Sequence, residues 1–261
     1  MKIALCLFGH AGGIKDKNGA MKGTVNILES FDCYKKTIIQ YNDVDIFIHS
    51  WSHDLKQNII DLYKPKISKI ENQIDFSIVN IEDYSSIHSS DYSGISNSKL
   101  RDTAIRSSSR WYSNSYVLKI MKSYSQKHEI SYDYVFQGRL DLLLYKKIDF
   151  LSLNKDCFYC PSREKEKDKA VGDLFFISSQ ENAEKFSTIY ENKNLYLIRP
   201  VIAAKQHLEK NNIKICEYLK LPNDFTILRY KEDQSLLRRF SRAIKNPRWA
   251  LQRLYEKLLH N

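Results

Sequence analysis

The 261-residue sequence lacks most of the features by which a protein is classified at first sight. It contains no run of 18 apolar residues, so no segment is predicted to cross a membrane as a helix. The apolar stretch at residues 3–8 is too short for a signal peptide, and no small-residue cleavage site follows it. We therefore expect a first β-strand there, in a cytoplasmic protein. No internal repeat is visible.

Cysteine is scarce, with five residues in the chain. Cys157 and Cys160 form a single C-x-x-C, which is compatible with half a zinc site or with a redox pair. No second pair follows, and residues three apart on a strand point to opposite sides, so we expect two packing residues. Cys6, Cys33 and Cys216 stand among apolar residues and are expected to be buried thiols. This usage is typical of a reducing compartment.

Apolar residues make up 43% of the chain, which excludes disorder throughout. In the first half, short apolar runs typical of buried strands alternate with stretches of helical spacing. This order predicts an α/β domain with a mainly parallel, Rossmann-like central sheet flanked by helices. We assign residues 1–235 to this domain and residues 236–261 to a basic helical tail. Strands are expected at residues 3–8, 44–49, 67–70, 76–79, 132–141, 173–177 and 213–218, and helices at residues 24–41, 52–63, 111–124, 179–191 and 201–210.

Residues 85–109 break this alternation, because ten of these 25 residues are serine and no periodicity is visible. The composition predicts a long loop. Such a loop inside a compact domain is either functional, for example a lid, or disordered.

In open parallel sheets, ligands bind beyond the carboxyl ends of the strands. The first candidate is therefore the turn after strand one, with Gly9, His10, Ala11, Gly12 and Gly13. Small residues let a backbone approach a ligand, and its N–H groups can bind phosphate. The spacing fits neither a dinucleotide fingerprint nor a P-loop. The alternative is an ordinary flexible turn.

Three further candidates stand at strand ends. His49 and Trp51 end the second strand, where a buried structural histidine is the alternative. Arg139 and Asp141 are polar residues within an apolar strand, which are costly unless satisfied. A carboxylate there can hold a divalent cation and an arginine can pair with phosphate, although an internal ion pair explains both as well. Asp173, which starts another strand, can accept a proton from an attacking hydroxyl or simply be solvated.

Glu232 and Asp233 open a predicted C-terminal helix. Acidic residues are favoured at helix N-termini by the helix dipole, so their presence there has a structural explanation as well as a catalytic one.

Taken in order, these segments resemble bacterial glycosyltransferases of surface-polysaccharide synthesis, of lipopolysaccharide or capsule, with a GT-A-type fold. Each piece is short, and the order and spacing of the set carry the resemblance. The matching pieces span most of the chain, at residues 2–10, 45–51, 132–141, 172–178 and 232–236.

The resemblance implies a nucleotide-sugar donor bound by the turn at Gly9–Gly12 and by His49, Trp51, Arg139 and Asp141. Arg139-Leu140-Asp141 occupies the place of the family's Asp-x-Asp metal motif, which implies Mn²⁺ or Mg²⁺ at Asp141. Arg139 stands where the family has the first aspartate. A cation held by Asp141 alone would be weakly bound, and Arg139 can replace part of its charge.

The resemblance also implies roles toward the acceptor, a growing glycan or a lipid-linked oligosaccharide. Asp173 would lie near it, and Glu232 or Asp233 would serve as a base. Two other interpretations stay open. Arg139 in place of aspartate fits an inactive scaffold of a polysaccharide assembly complex. The pI of about 9.2 fits a nucleic-acid-binding protein, but no helix-turn-helix, zinc finger or RNA-binding signature supports a nucleic-acid partner.

The charge of the chain is concentrated near its end. Residues 238–261 contain seven Lys or Arg and one acidic residue, which accounts for most of the net +10. Their apolar residues fall on two helical stripes interrupted by Asn246-Pro247. A basic amphipathic helix with aromatic residues favours an anionic bilayer surface, and a helix packed on its own domain is the alternative. We expect a peripheral protein on the inner face of the cytoplasmic membrane.

Deletion of residues 238–261 should therefore reduce binding to anionic liposomes, measured by co-sedimentation. Donor hydrolysis should change less, because the deleted residues lie outside the predicted catalytic domain. Unchanged binding to anionic liposomes would refute the membrane role of the tail.

Overall fold

Seven strands form one sheet, in which six run in the same direction and one is antiparallel to its neighbours. This computed structural model describes residues 1–11, 27–87, 89–163 and 166–228. The expected α/β class, with a mostly parallel sheet flanked by helices, is confirmed. The strands are β1 (Lys2–Gly9), β2 (Asp43–Ser50), β3 (Ile67–Ile70), β4 (Tyr134–Arg139), β5 (Leu142–Leu144), β6 (Cys157–Ser162), β7 (Phe175–Ser178), β8 (Lys214–Lys220) and β9 (Phe225–Ile227).

Five α-helices in the described residues cover the two faces of the sheet, whose strand order is β3-β2-β1-β4-β7-β6-β8. The helices are α1 (Ile27–Thr37), α2 (Lys56–Tyr63), α3 (Asn97–Lys127), α4 (Gln180–Phe186) and α5 (Pro200–Lys210). Buried side chains of α1 and α2 pack with one face of the sheet, and those of α3, α4 and α5 pack with the other.

The central strand β1 shows why its sequence is apolar throughout. Ile3, Leu5 and Leu7 belong to the core on the α1 face, while Ala4, Cys6 and Phe8 belong to the core on the α3 face. A strand covered on both faces has no solvent side, so alternation of polar and apolar residues is lost.

The parallel strands β1, β2, β3 and β4 all end at one side of the sheet, which we call the carboxyl edge. β2 and β3 lie on one side of β1, and β4 and its further neighbours lie on the other, so the strand order reverses between β1 and β4. β7 is antiparallel and pairs Phe175 with Gly138, so the residues preceding β7 lie at the edge where β4 ends. Asp173 therefore comes to the same edge as Arg139.

The serine-rich segment is the main error of the sequence analysis. The expected loop at residues 85–109 is wrong for residues 97–109, which form the first part of α3. Buried Leu100, Ala104 and Trp111 have helical spacing, but small serines occupy the buried positions between them. Ser108, for example, is buried and lies 3.2 Å from the hydroxyl of Tyr84. Tertiary hydrogen bonds thus replace the apolar contacts by which a helix is recognised.

Two smaller expectations are also wrong. Residues 76–79 form no strand; they turn, and buried Phe76 packs against Trp51. The helix expected at residues 179–191 ends at Phe186 and continues as turns.

Cys157 on β6 and Cys216 on β8 form a disulfide, with Cα atoms 5.8 Å apart on neighbouring parallel strands. The expectations of a packing residue and a buried thiol are therefore wrong for this pair, since sequence spacing does not reveal which distant cysteines meet. Cys6 and Cys160 are buried thiols. The argument for a reducing compartment loses part of its basis.

The described chain ends beside the carboxyl edge. β9 pairs with β5, and the N–H of Leu228 donates to the carbonyl of Asp141 at 2.8 Å. The basic tail at residues 236–261 lies outside the described residues. Within the described ranges, no helix is long and apolar enough to cross a membrane.

Gly138 in β4 packs too closely for a side chain. A Cβ there would stand 2.5 Å from the Tyr34 hydroxyl and 2.7 Å from Cε1 of Phe136. Gly138→Ala should therefore lower the free energy of unfolding by about 1–3 kcal/mol, measured by urea denaturation. In a Tyr34→Phe background the loss should be smaller, because one of the two obstructing atoms is gone. An equal loss in both backgrounds would contradict this packing.

Candidate functional site

The turn that follows β1 is held by hydroxyl groups. Gly9 has φ +92°, a conformation that glycine adopts readily. Its N–H donates to Ser113 Oγ at 3.0 Å, and its carbonyl accepts from Ser50 Oγ at 2.8 Å. The N–H of Ala11 donates to Ser52 Oγ at 2.9 Å. Two of the amides expected to bind phosphate are thus engaged within the protein.

His49 lies under this turn with no exposed surface. Its Nε2 stands 3.3 Å from Glu71 Oε1, and its Nδ1 stands 2.7 Å from Ser113 Oγ. A carboxylate only accepts, which places the ring proton on Nε2 and lets Ser113 donate to Nδ1. His49 therefore positions Ser113, which in turn holds the N–H of Gly9.

This Glu71–His49–Ser113 chain has the partners of a hydrolytic triad. Ser113 is fully buried, however, so no substrate reaches its hydroxyl. These three residues support the turn, and Ser113 does not act as a nucleophile.

Trp51 is buried as well, and its ring stacks on Tyr112 and lies edge-on to His49. The two residues expected to contact a donor at the end of β2 are therefore inside the protein. Contact between either ring and a ligand would require rearrangement.

Arg139 and Asp141 form a bidentate ion pair. Nε and Nη2 of Arg139 donate to the two carboxylate oxygens of Asp141 at 2.6 and 2.7 Å. Only 6% of the Asp141 side chain is exposed, and 17% of Arg139. From the α1 face, Tyr34 donates to the carbonyl of Arg139, and Ser30 Oγ lies within hydrogen-bond distance of the carbonyl of Leu140. The α1 face of the sheet thus fixes the backbone on which the pair stands.

A second ion pair was missed by the sequence analysis. Nε of Arg110, on α3, stands 3.2 Å from Oδ2 of Asp173, with 12% and 19% of the two side chains exposed. Its guanidinium carbon lies 5.5 Å from the ring centroid of Phe8 and 5.2 Å from that of Trp111. Arg110 stands between the loop expected at residues 85–109 and the helix expected at residues 111–124. The helical spacing of Leu100, Ala104 and Trp111 was the signal that could have placed it on α3.

The two pairs lie on the same side of the sheet. Arg139 on β4 is the register partner of Phe8 on β1, so the two side chains point to the same face. The guanidinium of Arg110 lies over the ring of Phe8 on that face. Two guanidinium and two carboxylate groups therefore gather at the point where the strand order reverses. Such a set can bind an anion through the arginines and accept a proton through a carboxylate.

The residues at this edge do not fit a divalent cation as they stand. Asp141 gives both oxygens to Arg139, while a metal ion needs oxygen ligands that it can approach directly. In the described part of the chain, no three His, Cys, Asp or Glu side chains converge on one point. The arginines supply the positive charge here.

His10 follows Gly9 in the turn after β1 and is partly buried. Gly12, Gly13, Glu232 and Asp233 lie outside the described residues. Comparison with known proteins adds no assignment, because neither a family model nor a curated protein matches the chain.

Buried histidines should make folding sensitive to mild acid. Burial lowers the pKa of His49, and likewise of His207, from the ordinary value of 6.5 to about 4. Between these values the unfolded chain binds protons that the folded protein does not, so stability falls as the pH drops. Each histidine should contribute up to about 1.4 kcal/mol per pH unit around pH 5.5.

The test is the pH dependence of the unfolding free energy between pH 5 and 6.5, from urea denaturation. His49→Gln should reduce the slope by about one proton, because the group that protonates only in the unfolded chain is gone. An unaltered slope in His49→Gln would contradict the assignment of His49 as a buried neutral ring.

Proposed function

We propose that this protein is a glycosyltransferase that moves a sugar from a nucleotide-sugar donor to a growing bacterial surface glycan. The observation that carries the proposal is the double arginine–aspartate cluster at the carboxyl edge, between β1 and β4. Ligands of open α/β sheets bind at such a reversal point. A diphosphate needs cationic partners there, and a hydroxyl acceptor needs a carboxylate.

The proposed reaction uses these groups in separate roles. Arg139, with Asp141 orienting it, binds the donor diphosphate and stabilises the negative charge that develops as it leaves. Asp173 accepts the proton of the acceptor hydroxyl, whose oxygen forms the new bond to the anomeric carbon. The bond from that carbon to the phosphate oxygen breaks, and the nucleoside diphosphate leaves with the bonding electrons.

The wider setting is part of the same proposal. A mainly parallel sheet with its site at the carboxyl edge supports assignment to the GT-A type. A lipid-linked acceptor would require the enzyme at the inner face of the cytoplasmic membrane, where the basic residues of 238–261 would bind anionic lipid.

An inactive scaffold is the second candidate, favoured by one observation. Arg139 closes on both oxygens of Asp141, so this pair is internally satisfied without a ligand. Ligand binding with no transfer in any donor and acceptor combination would favour it.

The test is a thermal-shift screen against UDP-, GDP-, dTDP- and CMP-sugars, followed by a transfer assay with the donor that responds. A ligand at 100 times its dissociation constant stabilises the protein by about 2.7 kcal/mol, which gives a measurable shift. Asp141→Asn should reduce transfer at least about 100-fold while the protein stays folded, since Arg139 loses the group that orients it.

The matched control is Asp43→Asn, which removes the ion pair between Asp43 and Lys2. Both residues begin their strands and so lie at the end of the sheet away from the carboxyl edge. It should transfer sugar at the wild-type rate. Full turnover by a folded Asp141→Asn protein would eliminate the assigned role, and the absence of any response in the screen would argue against the enzyme class.

A further inference from the structure

We propose that Arg110 is a second diphosphate-binding residue, and that it exchanges its ion pair with Asp173 for one with the bound diphosphate. The inference rests on the proposed function and deepens it, since it names the group that releases the carboxylate assigned to the acceptor hydroxyl.

The position of Arg110 supports anion binding. Its guanidinium lies close to the aromatic rings of Phe8 and Trp111, and 12% of the side chain is exposed. The rings orient the planar group and exclude water from most of it, which strengthens its attraction for an anion that reaches its exposed part. Phe8 directly precedes Gly9, so Arg110 stands beside the turn that begins at the end of β1.

The two ion pairs differ in a way that identifies the exchangeable one. Arg139 contacts Asp141 through two nitrogens at 2.6 and 2.7 Å, whereas Arg110 contacts Asp173 through Nε at 3.2 Å. Asp173 is also about three times as exposed as Asp141, with 19% against 6% of the side chain. The contact between Arg110 and Asp173 is longer, is made through one nitrogen and involves the more exposed carboxylate, so it is the pair that a phosphate group displaces more easily.

Exchange has a consequence for the order of events. While Oδ2 of Asp173 contacts Nε of Arg110, that oxygen is engaged by the guanidinium and not by an acceptor hydroxyl. Once the diphosphate takes the guanidinium, Asp173 becomes available to an acceptor hydroxyl. Donor binding thereby prepares the carboxylate that the second substrate needs.

The experiment measures binding of inorganic pyrophosphate by calorimetry to the full-length wild type, Arg110→Gln, Asp173→Asn and the double variant. Arg110→Gln should raise the dissociation constant about tenfold or more, the loss expected for a charge-assisted hydrogen bond. Asp173→Asn should lower it several-fold, because the competing carboxylate is gone. In the double variant the gain from Asp173→Asn should disappear.

The double variant separates exchange from general electrostatics. If Asp173→Asn tightens binding by the same factor with and without Arg110, the carboxylate acts only as a nearby negative charge and the inference is overturned. If both single variants weaken binding, the pair is merely structural and the inference is again overturned. Melting temperatures without ligand show that each variant is folded.

The outcomes also distinguish this inference from the proposed function. A wild type that binds a nucleotide-sugar and transfers sugar, but shows no coupling between Arg110 and Asp173 toward pyrophosphate, keeps the function and overturns the exchange. A wild type that binds neither pyrophosphate nor any nucleotide-sugar overturns both.

Discussion

The packing of α3 across the carboxyl end of β1 is the constraint on which the candidate site depends. The buried hydroxyl of Ser113 accepts a hydrogen bond from the N–H of Gly9 and makes another with Nδ1 of His49. A serine hydroxyl is short, so these bonds tolerate little sliding of the helix, and a lost bond would leave a buried polar group unsatisfied. Arg110 stands three residues earlier on the same helix. The hydrogen bonds of Ser113 fix the position of this part of α3, and they thereby place Arg110 next to Phe8 and Asp173.

Charge balance is the second organising feature. Arg110, Asp173, Arg139 and Asp141 are all mostly buried, and each guanidinium has a carboxylate partner. An isolated buried charge is costly, so pairing keeps the edge stable in the absence of a ligand. The same pairing lets an anionic ligand replace a carboxylate at a guanidinium without leaving that cation uncompensated. The α1 face contributes by fixing the main chain around Arg139 through Tyr34.

Much of the fold was accessible from sequence, and the failures have a common cause. β1 was predicted well because its burial on both faces demands apolar residues from Ile3 to Phe8. β2 was recognisable by the shorter apolar run Ile46 to Ile48. The serine-rich half of α3 was not, since Ser108 and Ser113 are buried by virtue of partners that lie far away in the chain. His49 shows the same limit: its type suggested a ligand contact, but its burial and its bond to Ser113 make it a support.

The sequence by itself determined the α/β class and the edge at which polar residues gather, because parallel strands carry their carboxyl ends to one side. Arg139, Asp141 and Asp173 were identifiable on that ground. Only the tertiary structure decided which charges pair, that Arg110 joins them, and that Cys157 meets Cys216. The physical reason is that strand formation depends on local burial patterns, whereas the choice of a partner depends on how α3 and β8 pack against strands that are distant in sequence.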